Sequence, residues 1–351
     1  MPRVVVAPDK FRGTATAADV AGAMAVAATD LGWDALRLPM SDGGEGLLDA
    51  CAGLCPELVV TPVTGPDGSP VEAEWRRGDG VAVVEMARAS GLELAGGPER
   101  NDPVRATSRG TGELVVAASR LVGPGGTVIL GLGGSATTDG GRGVWEAVDE
   151  AGGLGGVDLV GACDVVTRYE DAAVVFGPQK GAGPDEVTVL TRRLGQQARV
   201  WARDLGTDVR GVPGSGAAGG VGGAVVALGG RLRSGFRLVA GLVGLDEALV
   251  GADRVLTGEG ALDPASLAGK VVGGVVGDAR ARGITTLVLV GRATNTSVVA
   301  RLEGAGCTVL TLVDRCGVDR ALGDTVACVY QATAAWLGPA PDVAEPAGHH
   351  P

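Results

Sequence analysis

The repeated alternation of short apolar runs with helix-like stretches most constrains the fold of this chain. The run "RVVVAP" precedes the helical stretch "TATAADVAGAMAVAATD", and "TTLVLVG" and "CTVLTLV" alternate with further helical stretches near the other end. Short β-branched runs are typical of buried strands in a parallel sheet, which needs a helical crossover between neighbouring strands. We therefore predict an α/β protein with a Rossmann-like parallel sheet built from both chain ends.

The middle of the chain has a different pattern. Short alternating stretches from about residue 58 to 90 are broken by "GPDGSP" and "RGDG", which are hairpin signals. A length of 351 residues suits two domains. We predict a discontinuous Rossmann-like domain over 1–60 and 283–338, an inserted α/β domain over 61–282 and a loose tail over 339–351.

Composition excludes several classes of function. The net charge of −11 argues against a nucleic-acid partner, which needs a basic surface. No apolar run approaches about 18 residues, so we predict a cytoplasmic protein with no membrane partner. The two histidines, His349 and His350, lie in the C-terminal tail, which excludes a Ser-His-Asp triad and a histidine-ligated zinc site. The six scattered cysteines are expected to be reduced thiols.

Polar or glycine-rich turns follow several of the predicted strands. In open α/β sheets, ligands bind at the carboxyl ends of the strands. A shared ligand site and ordinary turn chemistry both explain one such turn, whereas five together favour the ligand site. The turns contain Asp9-Lys10, "SDGGEG" with Asp42 and Glu45, "GLGGSATTDGG" from Gly131, Cys163-Asp164, and "TGEG" with Glu259.

The glycine-rich stretch after the run "TVIL" allows three interpretations. Free amides at a helix start would bind a phosphate, the spacing Gly131-x-Gly133-x-x-Ala136 fits a dinucleotide fingerprint, and tight strand–helix packing also needs glycines. A second match, Gly214-x-Gly216-x-x-Gly219, weakens the fingerprint reading, because two matches arise easily in a chain with 62 glycines. No Walker motif occurs.

Taken together, these motifs resemble the type I glycerate kinases of bacteria. The resemblance is collinear from about residue 4 to 320, through "APDKFRGT", "PMSDGGEG", "GLGGSATTDGG", "ACDV", "FGPQKGAG" and "VLTGEGALDPASLAGK". It implies a two-domain α/β enzyme that transfers the γ-phosphoryl group of ATP to a hydroxyl of glycerate with Mg²⁺. We also predict a homodimer.

The resemblance assigns roles to the residues at the strand ends. It implies that Asp164, Lys180, Lys270 and Glu259 are catalytic, that Gly131, Gly133, Gly134 and Ser135 bind the nucleotide, that Asp9, Lys10, Arg12 and Arg109 bind the substrate, and that Asp42 and Glu45 hold the metal. Phosphoryl transfer depends on positioning and charge neutralisation, for which carboxylates, cations and bare amides are the suitable groups.

The chain departs from the family pattern at several positions. Ala261 replaces an arginine, Thr138 replaces an asparagine, and Lys10 replaces a serine. Loss of an arginine beside a phosphate weakens stabilisation of the transition state. A divergent relative that binds a nucleotide or a small acid but catalyses poorly is therefore the alternative, and a nicotinamide dehydrogenase is a third interpretation.

Overall fold

The computed structural model describes residues 1–341 and divides into two compact units. Unit 1 comprises Met1–Ser41 and the chain from Ala240 onward, and unit 2 comprises Asp42–Val239. Most of the predicted tail, with His349 and His350, lies outside the described residues.

Eleven strands form two sheets in the described part of the chain. They are β1 (Arg3–Val6), β2 (Asp34–Arg37), β3 (Glu57–Thr64), β4 (Pro70–Arg77), β5 (Val81–Glu85), β6 (Thr127–Gly131), β7 (Asp158–Ala162), β8 (Arg231–Arg233), β9 (Arg254–Leu262), β10 (Thr285–Ala293) and β11 (Thr308–Thr311).

The helices alternate with these strands over most of residues 1–341. They are α1 (Ala17–Asp30), α2 (Leu47–Ala50), α3 (Ala87–Ser90), α4 (Arg109–Val122), α5 (Arg142–Glu150), α6 (Ala172–Phe176), α7 (Pro184–Asp204), α8 (Ala217–Ala227), α9 (Gly235–Leu242), α10 (Leu245–Leu249), α11 (Val271–Ala281), α12 (Thr296–Gly304), α13 (Leu312–Cys316), α14 (Val318–Gly323) and α15 (Thr325–Leu337).

Unit 1 is built on a five-stranded, wholly parallel sheet with the order β11-β10-β9-β1-β2. Its apolar strands are buried between helices, so Val4, Val6 and Leu289 are fully enclosed. Thr16 caps the start of α1 in a capping box: its hydroxyl accepts from the Asp19 amide, and the Asp19 carboxylate accepts from the Thr16 amide. The parallel sheet from both chain ends confirms the predicted fold class.

The unit boundaries differ from the sequence prediction. They fall after residues 41 and 239, whereas the pattern predicted boundaries after 60 and 282. The reason is strand pairing: β9 hydrogen-bonds to both β1 and β10, which ties the segment before residue 283 to unit 1. Periodicity identifies a strand but does not identify its neighbours.

Unit 2 contains a mixed six-stranded sheet with the order β3-β4-β5-β6-β7-β8. Strands β3, β4 and β5 pair antiparallel, and β5 to β8 run parallel. The predicted hairpin at "GPDGSP" is present, with Gly68 in the left-handed region and the Asp67 carboxylate accepting from the Ser69 amide. The parallel half of the sheet places the ends of β6 and β7 side by side.

No helix within residues 1–341 is long and apolar enough to cross a membrane. The six cysteines are free thiols, as the sequence predicts, and Cys51, Cys55 and Cys328 are buried. Burial raises the pKa of the Cys51 thiol to about 12, which keeps it protonated and unreactive.

Candidate active site

Two glycine-rich loops of unit 2 pack backbone against backbone. They are the loop after β2 that contains Asp42–Gly46 and the loop that follows β6. A Cβ atom on Gly133 would lie 2.5 Å from the Cα of Gly44, and one on Gly131 would lie 2.7 Å from the carbonyl oxygen of Gly43. Larger residues would therefore force the loops apart, so these glycines are needed for close approach.

The two predicted carboxylates of unit 2, Asp42 and Asp164, lie in neighbouring loops. Asp164 accepts hydrogen bonds from the Ser234 hydroxyl (2.7 Å) and from the Phe236 amide (3.1 Å). A Cβ atom on Gly235 would lie 1.9 Å from the carbonyl oxygen of Asp42. Burial raises the pKa of Asp164, and the charge of Asp42 raises it further. Burial favours the protonated form of Asp164, whereas the repulsion between the two carboxylates would be relieved by a cation at this position.

The loop after β6 is anchored through its carbonyl oxygens. The amide of Leu92 donates to Gly134 (2.8 Å), and the side-chain amide of Asn101 donates to Ala136 (3.0 Å). By contrast, in the part of the chain that the structure describes, the amides of Gly133, Gly134 and Ser135 donate no hydrogen bond. Three successive amides without acceptors are the donors that an anion requires.

Lys180 lies beneath this loop, enclosed by unit 2 rather than solvated. Only 2% of the residue is exposed, and its ammonium donates to Ser135 Oγ (2.8 Å) and to the Thr137 carbonyl oxygen (2.6 Å). Burial lowers the pKa of Lys180 to about 7, and the charge of Asp139 raises it in part. The sequence prediction gave Lys180 a catalytic role, but its ammonium contacts the loop.

Asp139 was missed as a functional candidate by the sequence analysis. Its carboxylate accepts from the amide and the hydroxyl of Ser108 (both 2.8 Å) and from the amides of Gly141 (2.9 Å) and Gly143 (3.2 Å). It joins the start of α4 to the start of α5. An aspartate before two glycines is an Asx-turn and capping signal, which predicts the local contacts but not the link to Ser108.

Glu85 was also missed, because it ends a strand without an adjacent motif. It is 1% exposed, and its carboxylate accepts from the Leu48 amide (2.9 Å) at the start of α2. Arg88 Nε lies 3.4 Å from the same carboxylate. Glu85 thus fixes the helix that follows the loop of Asp42.

The second fingerprint match, around Gly216 and Gly219, serves packing. Ala218, Gly219 and Gly220 have positive φ angles, which interrupt α8. A Cβ atom on Gly219 would lie 2.0 Å from the Thr137 carbonyl oxygen, and the Gly219 carbonyl oxygen accepts from the Gly140 amide (3.0 Å). These glycines allow the start of α8 to pack directly against the loop after β6.

A second group of ionisable side chains surrounds Glu259 in unit 1. Burial raises the pKa of Glu259 to about 7, the Ser266 hydroxyl lowers it, Asp9 raises it and Lys270 lowers it. The Oε1 atom of Glu259 is buried and has no hydrogen-bond partner within residues 1–341. A carboxyl group with a pKa near neutrality can exchange a proton at physiological pH.

The sequence predicted a turn at "TGEG", but the segment continues strand β9. Gly258 and Gly260 lie inside the strand, where a Cβ atom on Gly258 would lie 1.8 Å from the Leu289 carbonyl oxygen. A Cβ atom on Gly260 would lie 3.0 Å from the Arg12 amide. Pairing with β10 extends the strand, which glycine composition alone did not indicate.

The remaining predicted cations of unit 1 are near the same carboxylates. The Lys10 amide donates to Asp9 Oδ1 (2.7 Å), and Lys10 Nζ lies 4.0 Å from that oxygen. Lys270 immediately precedes α11 and acts on Glu259 through its charge. The structure therefore brings Asp9, Lys10, Glu259 and Lys270 into one group.

The Arg109 side chain pairs with carboxylates on α4 and α5 of unit 2. It forms ion pairs with Glu113 (3.0 Å) and Glu150 (2.6 Å) at the start of α4. Hydrogen bonding to Glu150 raises the pKa of Arg109. Two carboxylates thus pair with this guanidinium, and its predicted contact with the substrate stays a prediction.

Comparison with known proteins identifies relatives along nearly the whole chain. The model described as the glycerate kinase family matches residues 4–151 and 150–336. The chain is 38% identical to the glycerate 2-kinase of Escherichia coli over 315 residues, which cover 79% of this chain and 82% of that protein. It is 37% identical to the glycerate kinase of Bacillus subtilis over 329 residues, covering 82% and 85%.

A solved structure is similar over almost the full length. It is a crystal structure from Salmonella typhimurium described as a glycerate kinase 2, with a TM-score of 0.77 and 32% identity. The match covers 96% of this chain and 98% of that chain.

Proposed function

The chain belongs to the glycerate kinase family and is a small-molecule kinase, and we propose that it transfers the γ-phosphoryl group of ATP to a hydroxyl of glycerate. The relative from Escherichia coli is a glycerate 2-kinase, so we expect the 2-hydroxyl to be the acceptor. The dehydrogenase interpretation has no support from these relatives.

The observation that carries the nucleotide assignment is the pairing of bare amides with carboxylates in unit 2. The amides of Gly133, Gly134 and Ser135 have no acceptor among the described residues, and the loop that bears them packs against the loop of Asp42. Amides bind phosphate oxygens, and carboxylates bind the metal that accompanies a triphosphate. This combination suits ATP better than a phosphate-free acid.

The carboxylates of unit 2 fit a magnesium ion. No group of three or more His, Cys, Asp or Glu side chains that could hold a metal occurs within residues 1–341. Mg²⁺ usually takes one or two carboxylates, with phosphate oxygens and water as its other ligands. We assign Asp42 to this role, and the magnesium ion would neutralise charge on the phosphates. Glu45, in the loop of Asp42, is a further predicted ligand.

The chemistry left to the protein is positioning and the removal of one proton. The glycerate hydroxyl attacks the γ-phosphorus, ADP leaves, and the hydroxyl proton passes to a carboxylate. Asp164 and Glu259 are the candidates, since burial raises the pKa of each. Lys10, Arg12 and Lys270 are the predicted cations for the substrate carboxylate.

The test is phosphorylation of D-glycerate with ATP and Mg²⁺, followed by ³¹P NMR of the product. We expect 2-phosphoglycerate and ADP in equal amounts. Asp164→Asn should lower kcat by about 10²- to 10⁴-fold, since it removes a charged group from the site. The matched control is Asp208→Asn in the same unit, where the carboxylate pairs with Arg210 at the surface. An Asp164→Asn enzyme with normal turnover would contradict the assignment.

The same assay distinguishes the alternative, a weakly catalytic relative. This candidate is favoured by Ala261 and Thr138, where the family pattern has an arginine and an asparagine. Nucleotide binding without phosphorylation of D-glycerate would support it over the kinase.

A further inference from the structure

We propose that Lys180 is a positioning residue that holds the loop Gly133–Thr137 in the conformation that presents its bare amides and the Ser135 hydroxyl to phosphate. This inference rests on the proposed nucleotide site and adds to it the residue that orders the loop. Its basis is geometric: one enclosed ammonium donates to Ser135 Oγ (2.8 Å) and to the Thr137 carbonyl oxygen (2.6 Å).

The direction of these hydrogen bonds matters for the function of Ser135. Because the Ser135 oxygen accepts from Lys180, its own O–H remains available as a donor. The Thr137 carbonyl is turned inward by the same ammonium, and the Ala136 carbonyl is turned inward by Asn101. The loop is therefore held through its carbonyl oxygens, while the amides of Gly133, Gly134 and Ser135 donate no hydrogen bond within residues 1–341.

The neighbouring charge explains how a lysine is tolerated in this enclosed position. Asp139 acts on Lys180 through its charge, and four hydrogen bonds from Ser108, Gly141 and Gly143 hold that carboxylate in place. Asn101 also donates to the carbonyl oxygen of Lys180 itself (2.8 Å), which ties the lysine backbone to the loop. The ammonium is thus held by the Ser135 hydroxyl and the Thr137 carbonyl oxygen, while Asn101 holds the lysine backbone.

The first experiment compares Lys180→Met with Leu190→Ala, a substitution in the core of the same unit. Affinity for a non-hydrolysable ATP analogue with Mg²⁺ is measured by calorimetry. We expect Lys180→Met to weaken binding by about tenfold to hundredfold, since charge-assisted hydrogen bonds to the loop are lost. Leu190→Ala should leave affinity within about twofold. Equal affinities of the wild type and Lys180→Met would overturn the proposal.

The second experiment requires neither ligand nor turnover. Hydrogen exchange is followed at the Leu92 amide, which donates to Gly134, and at the Ala136 amide, which donates to Ser90. Lys180→Met should accelerate exchange at both amides by about tenfold or more, and Leu190→Ala should not do so selectively. Unchanged exchange at both would overturn the positioning role. The measurement therefore separates its failure from failure of the proposed kinase activity.

A conservative variant and the kinetic constants complete the test. Lys180→Arg retains a buried cation and should recover part of the nucleotide affinity lost in Lys180→Met. In an active enzyme, Lys180→Met should raise KM for ATP more than KM for glycerate. A parallel rise in both constants, without recovery by arginine, would indicate a structural role alone and would overturn the proposal.

Discussion

Gly219→Ala tests whether the interrupted helix α8 supports the loop after β6. Gly219 has a φ of +66°, and a Cβ atom there would lie 2.0 Å from the Thr137 carbonyl oxygen. Gly229, at the other end of α8, has a φ of +79° and nothing within 4 Å of its Cβ position. The two glycines therefore share a positive φ and differ in the contact.

The expected losses of stability follow from the positive φ and from the contact with Thr137. Alanine in the left-handed region costs about 1–2 kcal/mol in the folded state, and reduced entropy of the unfolded chain offsets about 0.4–1 kcal/mol of this. We therefore expect Gly229→Ala to lower the free energy of unfolding by about 1 kcal/mol. Gly219→Ala adds an overpacking cost of about 1–3 kcal/mol, because the contact is with backbone.

The assay is urea unfolding of both variants and the wild type under one set of conditions. Gly219→Ala should unfold at a clearly lower urea concentration than Gly229→Ala, and it should also weaken nucleotide affinity because Thr137 must move. Equal losses of stability in the two variants would refute the reasoning. That result would mean that the loop after β6 moves to accommodate the Cβ atom without loss of stability and is not held in place by packing against Gly219.

Three further predictions concern other parts of the molecule. The pKa of Glu259 is about 7 in the folded protein and about 4.5 in the unfolded chain, so the free energy of unfolding should fall by up to about 3 kcal/mol as pH rises from 4.5 to 7 and then level off. Urea unfolding at several pH values should show that Glu259→Gln lacks this fall. An unchanged pH dependence in the variant would contradict the prediction. Tyr169→Phe removes the hydroxyl that donates to the buried Gly140 carbonyl (2.7 Å), and it should lower the free energy of unfolding by about 1–3 kcal/mol, measured by urea unfolding. An unchanged free energy of unfolding would contradict the prediction. Cys51 should resist alkylation at neutral pH until urea unfolds the protein, as mass spectrometry can show, because burial raises the pKa of its thiol to about 12.

Several features of the candidate site could be predicted from the sequence. Asp42, Gly131–Ser135 and Asp164 were identified because carboxylates and glycines that follow apolar runs lie at the ends of parallel strands. The structure brings these three segments together in unit 2, although their roles remain predictions. Lys180 was identified too, but its burial was not, because a lysine between glycines gives no sign of what encloses it.

The alternation of apolar runs and helical stretches determined the fold class and the parallel sheet of unit 1, because local periodicity reports which residues face a core. The tertiary structure alone decided which strands are neighbours, so it alone assigned β9 to unit 1 and set the unit boundaries. It alone also joined Asp139 to Ser108 and Lys180 to Thr137. Such contacts join residues that are distant in the chain, and their geometry depends on how the intervening elements pack.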